Sequence, residues 1–156
     1  MISSFLIDFF HLLATTVWIG GMFYMETVFY PSLAVINPDQ AGKLQGMIAK
    51  RFTIVAWSCI IILLVTGLLK TPSTLLLDSS STMGVIMLIK HLLILLIITV
   101  GLLITFFIAP RLRMNLPKAG ERPTVEFLKY SKILKSLAAT NMVMGIGVLV
   151  LVVLLR

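Results

Sequence analysis

The chain has 156 residues, 59% of them hydrophobic and only 12% charged, with a mean hydropathy of +1.08. That excludes an ordinary soluble domain and describes a chain whose solvent is largely lipid. The net charge of +7 would suit nucleic acid, but its distribution excludes that partner in favour of membrane lipid, and the single cysteine, Cys59, excludes a disulfide framework.

Four apolar runs follow one another, roughly residues 4–27, 52–69, 84–109 and 137–155. Each is near the ~20 residues a helix needs to cross a ~30 Å hydrocarbon core. Barrel strands would be about half as long and would alternate, which these runs do not. The first run lacks the basic start of a secretory signal peptide and is expected to be a mature helix. Asn37-Pro38-Asp39 and Leu116-Pro117 to Gly120 mark breaks, and Thr71-Pro72 should end the second helix. In Pro123 to Lys135, Val125, Leu128 and Leu134 recur among lysines, as in a helix lying at the interface or extending the fourth span. The expected fold is all-α: one integral membrane four-helix bundle over residues 1–156, multi-pass in the cell membrane.

The basic residues orient it. Lys43, Lys50 and Arg51 follow the first span, and Arg111, Arg113, Lys118, Arg122, Lys129, Lys132 and Lys135 lie between the third and fourth. Only Lys70 and Arg156 lie on the other side, so ten charges against two predict cytoplasmic basic loops and both termini outside. Glu26 is then expected as a structural charge at the cytoplasmic end of the first helix, near Arg51.

With that orientation, His11, Lys90 and His91 all lie about 10 Å into their helices from the outer side, at ~1.5 Å per residue. Thr66 and Gly67, in the outer third of the second helix, share the layer. Steps of three and four from His11 pick out Ser4, Asp8, Thr15, Trp18 and Met22, a polar stripe that should face the bundle interior. On the third helix Met83, Met87 and either Lys90 or His91 form a second stripe. Lys90 and His91 point about 100° apart, so only one would aim at the centre. Ionisable groups at such depth are functional candidates by default.

The segments "HLLATTVWIGGMFY", "RFTIVAWSCIIILLVTGLLK" and "MGVIMLIKHLLILLIITVGLLITFFIAPRL" together resemble the copper resistance protein D (CopD) family of small membrane domains. They are also similar to the related membrane protoporphyrinogen oxidase type. His11, Trp18, Gly20 and Gly21 match the first-helix motif, Arg51, Phe52, Thr66 and Gly67 the second, and Lys90 the third. The resemblance implies a membrane bundle with copper or redox chemistry. The additional helices and Met- or His-rich tract of the larger copper resistance proteins are not matched.

Three readings remain open. In the first, haem b is bound between the helices with His11 as axial ligand; the opposite position falls to His91 if the third helix turns it inward, or stays weak or open if Lys90 faces inward. Trp18, Thr66, Phe10 and Phe23 would then line the site, and Lys90 would be the catalytic group or hold a propionate or an anionic substrate. A quinone or small-molecule redox substrate would make the protein a membrane oxidoreductase. In the second, Met83, Met87 and His91, at i, i+4 and i+8, offer soft ligands to copper, with His11 completing the set. The third is a non-catalytic assembly factor or homo-oligomer packed through Asn141 and Gly145. The orientation is tested by single cysteines at positions 80 and 118: an impermeant reagent on intact cells should label the first and spare the second.

Overall fold

The structure, a computed structural model, describes residues 2–71, 79–117 and 121–154. Pro72 with the loop after it, Lys118 to Gly120, and Arg156, to which the sequence reading assigned a helix break, loops and basic charges, lie outside the described residues. The described chain is four long helices, α1 (Ile2–Val35), α2 (Pro38–Lys70), α3 (Thr82–Met114) and α4 (Val125–Leu154), each long and apolar enough to cross a membrane. Among the described residues there is no strand.

The helices overrun the apolar segments at the end where the basic residues cluster, hereafter the basic end. Pro38 opens α2 after Asn37, with Asp39 in the first turn, so the start suits both the missing proline N–H and the helix dipole. The added turns then bury Gln45 and pack Leu44 and Ile48 against Phe29 and Leu33 of α1. Thr124 caps α4 by accepting from the Phe127 N–H at 3.1 Å. The stretch expected at the interface is therefore the first part of α4. Of its expected apolar face only Leu134 is buried, joined by Phe127 and Leu112, while Val125 and Leu128 are exposed. Gln45 Nε2 donates to Ser131 Oγ at 3.5 Å and ties α2 to α4 at this end.

Two prolines shape the interior. Pro31 and Pro110 have no N–H to give the carbonyl four residues back, and their rings crowd it. In both helices the chain widens just before the proline into a five-residue π segment, Met25–Phe29 in α1 and Ile104–Ile108 in α3. The residue ahead of each proline closes the wide turn: Tyr30 N–H reaches Met25 O, and Ala109 N–H reaches Ile104 O.

α1 packs along α2 and α3 along α4, with α1 also against α4. α2 and α3 meet through side chains, among them Trp57, whose Nε1–H donates to Thr105 Oγ1 at 3.0 Å. Ala14, Trp18, Met22, Cys59, Ile60 and Ile97 form the central core. The numerous exposed Leu, Ile, Val and Phe side chains, such as Leu13, Ile61 and Leu95, face outward as a lipid-facing surface should.

Adjacent glycines show how tight the α1–α2 seam is. A Cβ on Gly21 would stand 2.6 Å from Phe52 Cε2, whereas one on Gly20 would meet nothing within 4 Å. Gly21→Ala should therefore cost about 1–3 kcal/mol through overpacking. Gly20→Ala should be neutral or stabilising by up to about 1 kcal/mol, since alanine is the better helix former. Thermal unfolding of the two variants in detergent measures the contrast.

Candidate functional site

A cavity of about 450 Å³ opens within the half of the bundle away from the basic end, with walls from all four helices. α1 supplies Asp8, His11, Thr15 and Trp18; α2 supplies Gly67 and Lys70; α3 supplies Lys90 and His91. Ile94, Ile98, Val148 and Leu149 are among its apolar walls. The volume lies within the ~300–1,000 Å³ typical of small-molecule sites.

Lys70 Nζ and Asp8 Oδ1 meet at 2.7 Å, with 46% and 61% of their side chains exposed, so the pair sits at the cavity's rim. Among the described residues it is the one ion pair. This answers how Asp8 is accommodated in so apolar a helix: it is charge-paired at the bundle's edge.

His11 is held by a relay of two hydrogen bonds. Thr66 Oγ1 lies 2.6 Å from its own Ile62 carbonyl, which can only accept, so the hydroxyl hydrogen is committed there. The same oxygen lies 2.6 Å from His11 Nδ1 and must accept from it. The ring is thereby the Nδ1–H tautomer, with the Nε2 lone pair uncommitted. Thr66 is buried behind the histidine, and Gly67 lies beside the ring, where a Cβ would meet His11 Cε1 at an ordinary contact distance of 3.7 Å.

His91 arrives at the same tautomer by another route. Its Nδ1 lies 2.8 Å from the Met87 carbonyl, so it too carries its hydrogen on Nδ1 and leaves Nε2 open. Lys90 and His91 both line the cavity. The expectation that only one would face inward is corrected: the cavity is broad enough along α3 to take neighbours about 100° apart.

The other candidates divide. Trp18 is buried and forms part of the cavity's inner end. Met83 is 49% exposed, and Met87 is buried; neither is among the described residues lining the cavity, so the thioethers do not join His11 and His91 there. Phe10 and Phe23 lie on the exposed outer surface of α1, and the aromatic wall is Trp18 alone of the three. Among the described residues no three His, Cys, Asp or Glu side chains converge as a metal cluster. Glu26 makes no ion pair with the exposed Arg51; its Oε1 is buried without a partner.

The fold and cavity define a multi-pass membrane protein with a histidine-bearing chamber between its spans. The chain belongs to the copper resistance protein D (CopD) family, whose model matches residues 46–155. That match takes in most of α2 and all of α3, with Thr66, Lys90 and His91, and the described part of α4, while His11 and Trp18 on α1 precede it. Comparison with curated proteins and with solved structures gave no match.

The rim pair is exposed to solvent screening and should contribute little to stability, on the order of 0–1 kcal/mol. Asp8→Asn should shift thermal unfolding by no more than that in low salt, and less at high salt. A larger loss, insensitive to salt, would show that the pair is buried in the working protein.

Proposed function

We propose that this CopD-family protein binds copper in the four-helix cavity, with His11 and His91 as its imidazole ligands. The observation that carries the reading is the pair of histidines, on two helices, each tied down through Nδ1 and each left with an uncommitted Nε2. Neutral imidazole is a good ligand for copper, and a ligating ring is normally oriented by a partner on its other nitrogen. Thr66 and the Met87 carbonyl have that relation to His11 and His91. The family membership supports copper as the cargo.

A second reading uses the same two nitrogens for haem b. Two observations favour it: the cavity is far larger than an ion requires, and Lys70 and Lys90 both line it. Cations beside a bare metal ion oppose its binding, whereas they would pair with porphyrin propionates. His11 would be the axial ligand, with Trp18 and the aliphatic walls covering the macrocycle, and Lys90 would hold an anionic group. Bound haem would supply one-electron chemistry toward a quinone or another small redox substrate. An assembly factor without a ligand remains the third outcome.

Detergent-purified protein should bind Cu(I) with near-stoichiometric occupancy. His11→Ala and His91→Ala should each weaken it by at least about tenfold, Thr66→Val by about 10–100-fold as an orienting partner, and Met83→Leu very little. Copper content and competition titrations measure this. A Soret band at full occupancy, lost in folded His11→Ala protein, would replace copper with haem, and neither ligand in folded wild-type protein would leave the assembly role.

A further inference from the structure

A second cavity, of about 100 Å³, lies toward the basic end and is independent of the histidine chamber's ligand. Trp18 and Ile60 line both, so these two side chains separate the chambers. Both π segments border it: Met25 and Glu26 come from one, Ile104 and Thr105 from the other. π segments are rare insertions that often accompany functional sites, and here the two flank one space.

The space holds two buried acceptor oxygens without hydrogen-bond partners, Glu26 Oε1 and Asn141 Oδ1. Asn141 as a residue is 93% buried, since its exposure is 7%. Three of the donors nearby are already used, while the Tyr30 and Thr105 hydroxyls, which also line the space, donate no hydrogen bond among the described residues. Thr53 Oγ1–H goes to the Ala49 carbonyl at 2.8 Å, Trp57 Nε1–H to Thr105, and Asn141 Nδ2 to the Ile97 carbonyl at 3.4 Å. Both residues line one small, largely apolar space, their two oxygens have no donor, and a chamber of this size admits a few waters.

We propose that Glu26 and Asn141 form a hydrated proton-binding site in the interior of the bundle, with the proton carried on the Glu26 carboxyl. A carboxylic acid donates where a carboxylate only accepts, so protonation supplies the missing hydrogen to Asn141 Oδ1, directly or through a water. It also removes a charge that the apolar surroundings penalise. The titratable and charged groups around Glu26 are few. On α1 there is Tyr30, which lines the space; on α4 there is Lys135, its Nζ 5.3 Å from the Tyr30 ring centre. The α2 and α3 walls offer Thr53, Trp57 and Thr105 and no titratable side chain.

The test is infrared titration of the detergent-solubilised protein with carbon-13 glutamate. The chain has three glutamates, and Glu121 and Glu126 are exposed, so a glutamic acid carbonyl band persisting at neutral pH is assignable to the interior. Wild-type protein should show this band, without dependence on sodium; Glu26→Gln should abolish it, and Asn141→Leu should shift its frequency. Isotope labelling of the wild type keeps the test decisive if a variant misfolds. If all labelled carboxyls titrate together in the acidic range, or if adding sodium at fixed pH removes the band in favour of a bound cation, the proposal is overturned.

Discussion

A polar side chain packed inside an apolar bundle, away from any cavity, has no water to turn to and is stabilised by a partner in its own helix turn or in a neighbouring helix. The His11–Thr66–Ile62 relay satisfies that constraint across the α1–α2 seam. Elsewhere Thr15, Thr16, Thr27 and Thr99 return their hydroxyls to the carbonyl four residues back, which satisfies them locally and builds nothing between helices. The relay is different because its last member is a ring with two nitrogens. Satisfying one of them defines the chemistry of the other.

Packing between membrane helices gains little from the hydrophobic effect, since lipid tails are as apolar as leucine, and it depends on close approach and hydrogen bonds. The seam containing Gly21 and Phe52 supplies the first. The Trp57–Thr105 bond and the Gln45–Ser131 contact supply the second. The pairing of α1 with α2 and of α3 with α4 brings the polar positions of α1, α2 and α3 around one space, which aliphatic side chains of α4 help to wall. Prolines then divide the interior. Each stops the regular ladder near the basic end, and the wide turns that result border a separate small chamber behind Trp18 and Ile60.

Much of the site was legible in advance, and the reason is periodicity. Asp8, His11, Thr15 and Trp18 recur at helical spacing, so they share a face wherever the helix is placed. Equal depth brought Lys90 and His91 to the same layer as His11. The methionines at positions 83 and 87 share that spacing, yet spacing alone cannot say which side of α3 meets the cavity. Contacts on the other helices decide it, leaving Met83 outward and Met87 buried away from the chamber. Glu26 was expected as a structural charge near Arg51 at the end of an apolar run, but the helix continues past it, and in the π turn one of its oxygens is buried without that partner. Pro31 and Pro110, within apolar stretches, were the signal for that irregularity.

By itself, the amino-acid sequence determined that the protein is a bundle of four membrane helices, because only a helix satisfies its own backbone in lipid and the lengths of the apolar runs match the hydrocarbon thickness. It determined too which residue types stand at each depth, because helical rise is constant. Only the tertiary structure decided that Thr66 accepts from His11, that Lys90 and His91 share one cavity, and that Glu26 and Asn141 share another. These are relations between helices far apart in sequence, set by rotation and approach within the packed bundle, which periodicity along a single helix does not encode.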